Sequence, residues 1–150
     1  MSLDVHLEIE DAKFDHSGQH IYIREDGTEK EITLAEWRER FPDREPIVVE
    51  TDGESNTVYS ANITHNLNRM ADAAGIYQYL WRPEEIGVLK ASQLVAPLEK
   101  GLSVLKGDRA KFESLNPPNG WGTYDGLVRF VEDYLNACKQ YPQANVSVSR

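Results

Sequence analysis

The sequence predicts an α+β fold, one domain spanning residues 1–150. Short alternating apolar segments stand near both ends and in the middle of the chain, at 4–9, 58–63 and 146–148. Between the last two lies one long block of helical spacing. Neither pattern repeats at a fixed interval, which leaves out a solenoid. Strands from the N-terminus, the middle and the C-terminus should share one small sheet, with the helices of 64–140 on one face. Residues 10–57 read as an acidic ββαβ-like insertion, a subdomain at the margin of that sheet.

Asp4-Val5-His6-Leu7-Glu8-Ile9 alternates strictly, which places Val5, Leu7 and Ile9 on one side and Asp4, His6 and Glu8 on the other. The polar set has the residue types of a metal or acid–base site, but the wet side of a half-buried strand is the plainer account. Residues 10–18 are polar and turn-like, and mobility is expected there. Asp26-Gly27 between two alternating runs predicts a hairpin, because a tight primed turn demands positive φ. Thr33 and Glu36 have capping-box spacing and open a short helix that Pro42 stops. A strand at 46–50 and a polar loop at 51–57 complete the insertion.

The 58–63 strand runs straight into a helix carrying Leu67, Met70, Ala71 and Ala74 at helical spacing. Gly75 and Ile76 have the pattern of a Schellman stop. A short helix at 77–81 ends at Arg82-Pro83, and another turn begins at Pro83. Ser92 is expected to cap a longer helix whose stripe is Leu94, Val95, Leu98, Leu102 and Leu105, with Pro97 tolerated in or near its first turn. A further helix spans 108–115. The loop Asn116-Pro117-Pro118-Asn119-Gly120-Trp121-Gly122 cannot be regular structure. Thr123 caps the last long helix, which Pro142 ends, and 145–149 closes the chain as a strand.

Composition is that of an ordinary folded protein, 40% apolar and 27% charged, with a net charge of −9. Residues 1–60 hold 16 Asp and Glu against 6 Lys and Arg, whereas the remainder is nearly balanced. An acidic half argues against direct binding to nucleic acid phosphates. It suits a solvated surface, or one that docks on a basic protein partner or imitates a polyanion. No apolar run is long enough for a membrane span, and residues 1–4 lack the features of a secretory signal. One cysteine, Cys138, rules out an internal disulfide and fits the cytoplasm.

Two helix entries carry the candidate site. The strand–helix junction Asn62-Ile63-Thr64-His65-Asn66 offers hydrogen-bonding side chains where a first helical turn exposes unpaired N–H groups. Such an end accepts phosphate or carboxylate, though Asn62 or Thr64 acting only as a cap is the plainer account. At the second entry, Asn119, Trp121 and Tyr124 stand among glycines, where an aromatic face can stack on a ring or anchor a partner. Trp121 plugging the end of the core is the competing account. Arg82 is a candidate for phosphate, or for a helix-end ion pair with Glu84 or Glu85. No metal-ligand spacing, paired-cysteine motif, nucleophile elbow, phosphate-binding glycine loop or dinucleotide fingerprint occurs, so no metal and no cofactor is expected.

Met1-Ser2-Leu3-Asp4-Val5, Asn-Ile-Thr-His-Asn-Leu at 62–67, Trp81-Arg82-Pro83-Glu84-Glu85-Ile86 and Asn119-Gly120-Trp121-Gly122 together resemble a family of small bacterial and phage proteins of unknown function. The resemblance covers the first strand and residues 58–150, with 10–57 as additional material. It implies a three-stranded sheet backed by helices and a phage or mobile-element setting, hence the host cytoplasm. It carries no catalytic residue onto this chain.

The leading expectation is a non-catalytic binding protein for a small anionic or nucleotide-like ligand. Asn62, Thr64, His65, Asn66, Arg82, Asn119, Trp121 and Tyr124 would form its site. A protonated His65 would then strengthen anion binding, and His65→Ala should barely change stability. The second expectation is an interaction module or inhibitor acting on a host protein through the 10–57 insertion. A third is a hydrolase using His65.

Overall fold

Leu3, Val5 and Leu7 alternate with Ser2, Asp4, His6 and Glu8, and that alternation makes β1 (Ser2–Glu8) the strand on which the core is built. The three apolar side chains are completely buried. β1 pairs antiparallel with β7 (Thr57–Thr64) on one side and with β8 (Asn145–Ser149) on the other. The N-terminal, middle and C-terminal strands therefore share one sheet, and the first lies between the other two. The computed structural model describes residues 2–10, 14–15, 18–51 and 54–150. Part of the stretch expected to be mobile falls outside these residues.

The sheet is wider than the three strands implied by the resemblance. β3 (Gly18–Glu25) and β4 (Thr28–Ile32) form the Asp26-Gly27 hairpin, and β4 pairs with β7 through Thr28↔Ile63 and Glu29↔Asn62. Asp26 at φ 56° and Gly27 at φ 90° adopt the positive angles that a primed turn needs. β5 (Val48–Thr51) pairs with β3 and is the outer strand, giving the order β5-β3-β4-β7-β1-β8. Phe14–Asp15 (β2) and Glu54–Ser55 (β6) pair as a short ribbon, so the expected 51–57 loop contains strand. Thr33 caps α1 (Leu34–Arg40) by accepting from the Glu36 amide at 3.1 Å.

Register puts Ile21, Ile23 and Ile32 on the same side of the sheet as Ile63. Trp37 and Phe41 of the α1 region cover the first three. The other helices cover the rest: α2 (Asn68–Ala73), α3 (Tyr77–Trp81), α4 (Ser92–Gly107), α5 (Arg109–Glu113) and α6 (Tyr124–Gln140). The opposite face stays open, and Asp4, His6, His20, Tyr22, Glu31 and Asn62 line a cavity of about 460 Å³ on it. Among the described residues, no helix is long and apolar enough to cross a membrane.

The junction after β7 is a 3-10 turn, His65–Leu67, before α2 begins. α2 ends in the Schellman geometry read from Gly75-Ile76: Ile76 N–H donates to Ala71 O and Gly75 N–H to Asp72 O, both at 3.0 Å. Ser92 does not cap α4. Its N-cap is Ala91, and the Gln93 side chain instead accepts from the Leu89 and Lys90 amides at 2.8 and 2.9 Å. Glutamine reaches back over the entry where serine, already helical, cannot. Pro97 then falls beyond the first turn rather than in it.

Candidate functional site

Three backbone turns from distant parts of the chain meet at one end of the sheet. The Gly27 carbonyl accepts from the Thr64 amide at 2.8 Å, and the Asp26 carbonyl accepts from Thr123 at 3.3 Å. A Cβ on Gly27 would lie 2.8 Å from Gly122 Cα and from Thr64 Cγ2. Side chains at 27 and 122 would hold these turns apart, which is the physical need for glycine at both. The β3–β4 hairpin tip is thus wedged between the end of β7 and the start of α6.

The loop before α6 is set by its own side chains. Asn119 Oδ1 accepts from the Trp121 amide at 2.9 Å, while Gly120 and Gly122 take φ of 74° and 113°. Asn66 Nδ2 donates to the Trp121 carbonyl at 3.3 Å, tying this loop to the β7 junction. Trp121 remains 62% exposed, so it does not plug the core. Between the turns lies a cavity of about 680 Å³, lined by Arg24, Asp26, Thr64, His65, Asn66 and Trp121 among others. A second hollow, about 560 Å³, adjoins it and shares His65, Asn66 and Asn119.

Five of the sequence-derived site residues come together here: Thr64, His65, Asn66, Asn119 and Trp121. The other three lie elsewhere. Asn62 points to the open sheet face, donating to Ser2 Oγ at 2.9 Å and Asp4 Oδ1 at 2.7 Å. Tyr124 is buried and donates to the Leu105 carbonyl at 2.8 Å. Arg82 joins Tyr77 and Glu85 at the far end of α3, which is the helix-end pairing. Sequence reading missed Arg24, Glu25 and Asp26. The Asp-Gly signal located the turn but said nothing of where its tip lands.

The chemistry of the entries also differs from the expectation of open helix ends. Thr123 Oγ1 accepts from the Gly126 amide at 3.0 Å, Asn116 Oδ1 from Tyr124 at 2.8 Å and Thr64 Oγ1 from Asn66 at 3.3 Å. These amides are taken by the protein itself. A ligand in the cavity therefore meets side chains and glycine backbone rather than these amides. Arg24 supplies the cation of the lining and stands 3.7 Å from Glu29. Glu25 and Asp26 are held by Arg40 and Arg129, each at 3.3 Å.

His65 is engaged from behind. Its Nδ1 accepts from the indole N–H of buried Trp81 at 2.9 Å, which leaves Nε2 as the ring's outward donor. Cys138 is buried in α6, and burial pushes its thiol up to about 12. Among the described residues, no cluster of His, Cys, Asp and Glu has the makings of a metal site. No protein-family model, curated protein or solved structure matches the chain.

Proposed function

We propose that the protein is a non-catalytic binder of a small anionic, nucleotide-like ligand, held in the cavity between residues 24–27, 64–66 and 119–122. The observation that carries this reading is the exposed Trp121 ring on a glycine-flanked loop beside a polar cavity built from three separate segments. A flat ring stacks on the indole, an arrangement worth about 1–3 kcal/mol per base in single-stranded nucleic acid sites. Asn66, Asn119 and the His65 Nε2–H then address its polar edge, and Arg24 its phosphate. With Nδ1 committed to Trp81, His65 has no spare lone pair for general-base work, which favours binding over hydrolysis. In the phage or mobile-element setting that the resemblance implies, such a protein would sequester a nucleotide signal.

A thermal-shift panel of nucleosides, nucleotides and cyclic nucleotides tests the reading. A member that binds the native state raises the melting temperature by mass action, without being consumed. Turnover of the ligand would favour the hydrolase, and a flat response across the panel would remove the nucleotide reading altogether.

A further inference from the structure

The insertion leaves apolar side chains in water at the edge of the sheet. Ile47 is 82% exposed, Val48 and Val49 are 41% each, and Tyr22 on the neighbouring β3 is 38% exposed. Among the described residues β5 pairs with β3 and with no further strand. An outer strand keeps part of its backbone N–H and C=O groups turned outward, a template for another chain unless lysine, an internal proline or a bulge blunts it. Ile47-Val48-Val49-Glu50 offers none of these, and Pro46 stands only at its border.

Charge decides what such a strand accepts. Val49 pairs with His20 and so lies on the open face, where alternation also puts Ile47. Glu45 and Glu50 flank the apolar residues in sequence, while Asp4, Glu29 and Glu31 give the same face a negative charge further in, on β1 and β4. A second copy pairing edge to edge would bring Glu45 and Glu50 close to their own equivalents. An extended segment bearing Lys or Arg between apolar residues matches both features, since its backbone continues the ladder, its apolar side chains lie beside Ile47 and Val49, and its cations, on the other side of the strand, come near Glu50. We infer that β5 and the open face beside it are a docking edge for an extended, cationic segment of a partner protein. This surface is separate from the Trp121 cavity, and the two can succeed or fail independently.

The probe is a short capped peptide alternating lysine with valine, titrated into the full chain and followed by calorimetry at low salt. Binding is expected, with weakening on added salt and about tenfold loss in Ile47→Lys and in Val49→Lys. Both substitutions fall on exposed side chains, and an unchanged melting temperature shows that they fold. Methylating alternate amides of the peptide should abolish binding, because strand addition needs those donors. The inference is overturned by any of four results: no binding, equal affinity for the lysine variants, equal affinity of the methylated or a glutamate–valine peptide, or self-association of the wild type that Ile47→Lys dissolves.

Discussion

Trp81 donates to His65, and this hydrogen bond ties the candidate site to the core. The sequence suggested that His65→Ala would leave stability nearly untouched, since a first-turn residue ordinarily has few contacts. The structure revises that. Removing the imidazole strands the N–H of an indole that is 1% exposed, at a cost of about 1–3 kcal/mol in a denaturant titration. His65→Asn keeps an acceptor near the same place and should lose less. Asp133 gives a pH-dependent counterpart at the cleft between β4, β7 and α6. Partial burial, aided by nearby Glu132, raises its carboxyl above the usual range. The native state thus holds this proton more tightly than the unfolded chain, so the penalty appears as pH rises through the raised value. Asp133→Asn should raise the melting temperature slightly at neutral pH, and the gain should vanish below about pH 4. A gain that persists in acid would assign the effect to packing instead.

The hairpin tip is the element that completes the site. A Cβ on Gly126 would sit 2.1 Å from the Asp26 carbonyl oxygen, so Gly126→Ala must push the tip away from α6. Overpacking of this kind costs about 1–3 kcal/mol. Hydrogen exchange should show the Thr64 and Thr123 amides losing protection together, because their acceptors, Gly27 and Asp26, move as one turn. Unchanged protection at both would mean that the tip is not what holds this end closed. Local chemistry was the most legible part of these elements in the sequence. The Thr33 and Thr123 caps, the Gly75 stop and the Asp26-Gly27 turn each depend on residues close in sequence. The Gln93 cap escaped notice because Ser92 offered the commoner capping residue. Docking of the tip on residues 64 and 122–126 was invisible, since it depends on three-dimensional placement that no local pattern encodes.

At the scale of the whole molecule, alternation predicted which strands share a sheet, and the structure shows β7-β1-β8 together. It did not reveal that β3, β4 and β5 extend this sheet, because β4 joins β7 through only two pairs, Thr28↔Ile63 and Glu29↔Asn62, and local alternation does not encode strand partners. A closed core on one face makes Cys138 a reporter of global opening. With its thiol buried and pushed up to about 12, labelling at pH 8 should be slow and should accelerate in step with denaturant-induced unfolding. Rapid labelling of the native protein would contradict that burial. The central claim is that Trp121 and the cavity beside it bind a nucleotide-like ligand. Its most direct test is calorimetric titration of wild type and Trp121→Ala with the strongest member of the nucleotide panel. Saturable binding is expected for the wild type, and a loss of about tenfold or more for Trp121→Ala at an unchanged melting temperature. Equal affinity in the two proteins would contradict the claim.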